Sequence, residues 1–333
     1  MTQSCRGTRL IRFLPAVAAG MYPFLVQAFH HFAGPPAAHA TMPQRAGAAM
    51  FLITMLIVPA LGIVCAAIPG QGVGARRLAY ASVAAPTLYV FLGVVQTLAG
   101  SPLPDALVWC LIWLSAAAYM ETTRGRLQGT RRKPDLARWR VAHGVTGAII
   151  LFYALFHIAN HVFGLIGPEA YAAVMDLGRK VYRAPYIEPA LVLALFFQVG
   201  SGLYVAWHES IVVPADFQRL IQVASGFYLS VFLLGHMNSV FIYARTVLGI
   251  PTDWAFATGA PTGLIHDAWN IRLLPHYALG VFFMLAHLVS GFRIVVIAHG
   301  VSQPIANRLW TTGVSVSALV ATAIIAGMCG VRP

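Results

Sequence analysis

The sequence predicts an all-α, polytopic integral membrane protein with about nine transmembrane helices. Three observations predict it. The chain is 59% hydrophobic and only 10% charged, with a mean hydropathy of +0.73; a soluble domain carries about 25% charged residues. Its apolar runs are about twenty residues long, the length of a spanning helix, whereas barrel strands are about ten and alternate. Its basic residues gather in the short segments between those runs, the pattern of the positive-inside rule.

The expected spans are residues 13–32, 46–68, 77–99, 103–120, 141–164, 189–208, 220–243, 273–298 and 308–330. With the N-terminus on the cytoplasmic side, 15 of the 22 Lys and Arg fall on the inner face. That orientation suits a bacterial inner (plasma) membrane. The net charge of +12 is therefore read as topology, and no nucleic-acid partner is expected. The first run could be a signal peptide ending at Ala38-His39-Ala40. Its core, however, closes on polar Gln27, His30 and His31, which favours an uncleaved helix. Cys5, Cys65, Cys110 and Cys329 lie scattered without CxxC spacing, so neither a disulfide framework nor covalent haem attachment is expected. The expected organisation is an N-terminal block of four helices (1–122), a basic inner linker (123–139), a four-helix core (140–300) and a C-terminal helix (301–333).

The core carries an internal repeat, 140–210 and 219–300. RVAHGVTGAIILFYALFHIANH (Arg140–His161) aligns without a gap on RLIQVASGFYLSVFLLGHMNSV (Arg219–Val240), 79 positions on. Arg140 meets Arg219, Gly147 meets Gly226, and His157 meets His236. The second helices align too: Gln198, Ser201 and Gly202 fall on His287, Ser290 and Gly291, 89 positions on. Polar groups inside a bilayer are costly and tend to be functional, and neutral imidazole is a good iron ligand. At about 1.5 Å per residue, His157 and His236 each sit about 25 Å from the inner edge. Two imidazoles at one depth on parallel helices could clasp one b-type haem. Asn160 and Ser239 correspond, and could orient the rings. The propionates would need cations, and Arg179, Arg183, Arg245 and Arg272 are placed on that side.

The other histidines break the symmetry. His287 has Gln198 as its counterpart, and His143 has Gln222. A second haem held by His287 and His143 is considered, but His143 is about 5 Å from the inner edge and His287 is deeper, so the heights match badly. His161 and His276, at the outer edge, are candidates for exchanging protons with a quinone.

Residues 140–300 resemble the cytochrome b membrane-anchor subunits of succinate dehydrogenase and fumarate reductase. HGVTG (His143–Gly147), YRAPYIEP (Tyr182–Pro189) and HLVSGFR (His287–Arg293) resemble that family's motifs, in the same order. The resemblance implies an electron-transfer subunit rather than a complete enzyme, with haem b, a quinone as substrate, and flavin and iron–sulfur subunits on the inner face. It implies His157 and His236 at an outer haem, and Gln198 with His287 flanking an inner one. Gln198 departs from the expected His, and Gly144 stands where the family has Arg. Other readings are a haem- or quinone-based redox sensor, a proton-coupled transporter without haem, and a scaffold with degenerate histidines.

Overall fold

In the computed structural model, residues 10–34, 40–122 and 134–333 are described. The Ala38-His39-Ala40 signal and the basic linker therefore fall wholly or largely outside them. All regular structure among the described residues is helical. The protein is an integral membrane protein. Among the described residues, six helices are long and apolar enough to cross a bilayer, or seven if one bent pair counts as a single span.

The shortfall from nine arises in the N-terminal block. The first expected span is two helices, α1 (Leu14–Gly20) and α2 (Tyr22–Ala33), with Pro15 and Pro23 in their first turns. Proline lacks an N–H and fixes its own φ, so it starts helices and interrupts long ones. α3 (Met42–Ala66) crosses whole despite Pro59. The third expected span is bent by 71° at Ala84, between α4 (Val73–Val83) and α5 (Ala85–Leu98), where Pro86 opens the second piece. α6 (Asp105–Thr122) completes the block; it covers the fourth expected span, 103–120, but is not among the helices long and apolar enough to cross.

The repeated core is α7 (Ala137–Val162), α9 (Ile187–Glu209), α10 (Phe217–Met237) and α11 (Leu273–Ala298). An amphipathic helix, α8 (Pro168–Tyr182), joins the first pair. α12 (Gln303–Met328) packs along α11. Below, the linker end is where α7 and α10 begin, and the α8 end is where they finish. α10 does not stop at 243: it continues as a π-helix over Asn238–Leu248, closed by Gly249 at φ 64°. Arg245 therefore stands on this helix rather than in a loop.

The N-terminal block covers α10 of the second copy and leaves the first copy bare. In its most apolar stretch α10 is 61% buried, against 11% for α7 and 17% for α9. Tyr80 of α4 stacks on Phe227 of α10 at 5.1 Å. Ile271 and Leu274, just before and within α11, sit in one cluster with Tyr22, Tyr89 and Trp109.

A polar clasp fixes this packing. Arg272 pairs with Asp105 at 2.6 Å, and its guanidinium lies over Tyr89 and Trp269. Gln96 donates to the same carboxylate at 2.5 Å. Gly93 provides the room, because a Cβ there would meet Arg272 Nη1 at 2.6 Å. Removing one partner of a buried pair strands the other charge, at a cost of about 3–5 kcal/mol. Asp105→Ala should therefore lower thermal stability in detergent strongly, and Asp105→Ala/Arg272→Met should recover part of the loss. Equal melting temperatures for wild type and Asp105→Ala would refute the clasp.

Candidate functional site

The equal spacing of the repeat brings His157 and His236 together. Their ring centroids are 5.9 Å apart with the planes at 67°. Imidazole nitrogen lies about 2.0–2.1 Å from a bound first-row metal, so two rings on opposite sides of one ion place their centroids roughly 6 Å apart. Among the described residues neither ring makes a side-chain hydrogen bond, which leaves both free to ligate. Both line a cavity of about 220 Å³ between α7, α9, α10 and α11 at the α8 end. No group of three or more His, Cys, Asp or Glu suited to a metal ion occurs among the described residues. A bis-imidazole site needs only two axial ligands, the macrocycle supplying the rest.

His161 and His276 line the same cavity. His161 lies one turn beyond His157, ring centroids 4.9 Å apart. His276 is buried, and its imidazole packs on Phe232 at 4.8 Å. Phe232 in turn stacks on His236 at 5.9 Å and 10°. The Nδ1 atoms of His161 and His276 are buried without a hydrogen-bond partner among the described residues. Such a group costs free energy unless a ligand or water satisfies it.

Helices other than the four of the core add to the wall. α8 contributes Tyr171, Met175 and Tyr182, α5 contributes Val90, and α12 contributes Ile324 and Met328. Asn160 does not orient a histidine ring. It is buried and turned to Met175 of α8, with its Oδ1 unpartnered. Ser239 does line the cavity. The π-helix opens just after His236 and Met237, a placement often found at functional sites.

Three of the four expected cations gather at the mouth. Arg183 donates to Thr252 Oγ1 at 2.9 Å and Arg179 to the Thr252 carbonyl at 3.0 Å. Arg245 holds Glu188 at 2.6 and 3.3 Å. Arg183, Arg245, Glu188 and Thr252 line the cavity. Arg179 Nε is buried and unpartnered. Burial, then the neighbouring Arg179, pulls Arg183 below the ordinary guanidinium pKa. Tyr182 beside them is raised by burial, partly offset by Arg179 and Arg183. The mouth thus holds positive charge in excess of its carboxylates, a setting for an anion. Arg272 is not part of it. It lies in the Asp105 clasp, drawn there by the carboxylate and two aromatic faces.

The histidines at the linker end also meet, against the expected mismatch in height. His143 and His287 have ring centroids 6.3 Å apart. Depth counted along each helix from its own arginine does not register how the two helices are offset. Gln198 reaches this level as well, with its Nε2 at 3.0 Å from His143 Nε2.

Fold and cavity together define a polytopic helical membrane protein with a histidine-lined pocket closed by an amphipathic helix. The chain is similar to the succinate dehydrogenase 2 membrane subunit SdhC of Mycobacterium tuberculosis, with 29% identity over 141 residues. The match takes in 39% of this chain and 95% of that subunit. No family model and no solved structure matches the chain.

The packing around Phe232 yields a test of the cavity's tightness. Gly280 lies directly behind that ring, and a Cβ there would overlap it. Wedged between His236 and His276, Phe232 cannot swing aside without displacing an imidazole. Gly280→Ala should destabilise the protein by about 1–3 kcal/mol through overpacking, read as a lower melting temperature. An unchanged value would mean that the pocket is loosely packed.

Proposed function

We propose that the protein is a b-type cytochrome of the membrane, resembling the anchor subunits of succinate dehydrogenase and fumarate reductase. In this reading it passes electrons between the quinone pool and a redox partner. The observation that carries it is the His157–His236 pair, 5.9 Å apart across a cavity and drawn from matched positions of a tandem repeat. The likeness to SdhC supports the same class of protein. Haem, when bound, supplies one-electron chemistry.

The chain's own residues would divide the work. His157 and His236 would be the axial ligands. Arg183 and Arg245, with Arg179 behind them, would pair the propionates by charge-assisted hydrogen bonds. Val90, Ile150, Val281 and Ile324 would keep water from the ring. His161 and His276, whose Nδ1 atoms lack partners, would hydrogen-bond a quinone or exchange its protons. Flavin and iron–sulfur subunits are the partners this reading implies, docked on the cytoplasmic face of a bacterial inner membrane.

The test is reduced-minus-oxidised absorption with pyridine haemochrome quantitation on detergent-purified protein expressed with ample haem. A b-type spectrum is expected, lost in His157→Ala and in His236→Ala. Arg183→Gln/Arg245→Gln should keep the spectrum but lose haem faster to a haem-scavenging globin. A haem-free, folded wild type would refute the reading.

A further inference from the structure

At the linker end the repeat offers a second pair of imidazoles, and their spacing alone would suit a second haem. The atoms around them do not. Gln198 Nε2 donates to His143 Nε2 at 3.0 Å. His143 Nδ1–H then donates to Ser201 Oγ at 3.0 Å, and Ser201 donates to the Phe197 carbonyl at 2.7 Å. This is the tautomer the network selects. It uses the Nε2 lone pair that a metal would need. The space is filled as well. A Cβ on Gly202 would meet His143 Cε1 at 2.9 Å, and one on Gly147 would meet Gln198 Nε2 at 3.1 Å. Those glycines, which could have admitted a macrocycle, admit side chains of the chain itself. The cavity at the α8 end has its floor at Ile150, Leu195 and Met284, and none of His143, Gln198 and His287 lines it.

The second copy repeats the arrangement with its helices exchanged. His287 on α11 bonds Ser225 of α10 at 2.9 Å, and Ser225 donates to the Gln222 carbonyl at 3.0 Å. In the first copy the histidine stands on the first helix and its partners on the second. In the second copy the histidine is on the second helix and its serine on the first. Each imidazole thus ties together the two helices of its own copy. His157 and His236 instead face each other between copies.

We infer that the linker-end histidines are a haem-free hydrogen-bonded brace, His143–Ser201–Gln198 in one copy and His287–Ser225 in the other, and that the core holds a single haem. The second half of that inference rests on the proposed reading of the His157–His236 site. The brace occupies the depth where a dihaem core would carry its second ring. It closes the bundle below the cavity and fixes the two helices of each copy against one another, with the His143 and His287 rings packed edge to face between the copies. Electrons entering from the linker end would meet no second haem between His143 and His157, about 21 Å of helix.

The test combines haem per chain with heat unfolding of the full chain in detergent. The variants are His143→Phe, Gln198→Leu and their double, with Ser201→Ala as the mildest change. One haem per chain is expected in wild type and in every variant. Each single substitution should lower the melting temperature by about 1–3 °C, the scale of one interhelical hydrogen bond in a chain of this size. The double should fall little below the worse single, because both remove the same contact. Two haems per chain, or a haem lost in His143→Phe, would overturn the inference. Additive temperature shifts would overturn the brace. No haem in any sample would instead overturn the proposed function, and the unfolding cycle would still decide the brace.

Discussion

The structure depends on one constraint: an imidazole inside a bilayer needs a partner. Water is absent there, and an unmet donor or acceptor costs free energy. The chain meets this need in two ways at two depths. At the linker end, His143 is bonded at both ring nitrogens by Ser201 and Gln198, and His287 is bonded at Nδ1 by Ser225, each within its own helix pair. At the α8 end, His157 and His236 face each other across open space, and His161 and His276 each keep an unpartnered nitrogen. The first solution makes rigid scaffold. The second leaves imidazole nitrogens facing a cavity. The repeat needs both, since the brace fixes the helices that hold the open pair.

The helices outside the repeat shape the site. The N-terminal block clasps the start of α11 through Asp105 and Arg272 and buries α10. Val90 of α5 reaches the cavity. α12 is tied to α11 by Trp310, which donates to Ser290 at 2.9 Å, and by Asn307, which accepts from Arg293 at 2.8 Å. Its far end brings Ile324 and Met328 to the cavity wall. α8 supplies Tyr171, Met175 and Tyr182 across the mouth. One pocket therefore draws on every helix from α7 to α12, with Val90 reaching it from the N-terminal block.

Much of this was legible in the sequence, where a side chain's place depends on its own helix. Equal spacing from Arg140 and Arg219 put His157 and His236 at one depth, and they are neighbours. Arg179, Arg183 and Arg245 were placed at the right end by charge pattern. What failed depends on relations between helices. The offset of α7 against α11 is invisible to residue counting, so His143 and His287 looked mismatched. Arg272 could not be known to prefer Asp105, a residue 167 positions away. Pro15, Pro23 and Pro86 were visible, but their effect, splitting or bending two expected spans, depends on whether neighbours re-satisfy the freed carbonyls. The π-helix after His236 has no signature in hydropathy. The orphaned Nδ1 atoms of His161 and His276 emerged only once the cavity walls were placed.

In the proposed reading His157 and His236 ligate one iron from opposite sides. Electron paramagnetic resonance of the oxidised protein tests it most directly. A low-spin ferric signal of bis-imidazole ligation is expected, converted to high spin or abolished in His236→Ala and left unchanged in His287→Ala. A low-spin signal that survives His236→Ala and disappears in His287→Ala would contradict it.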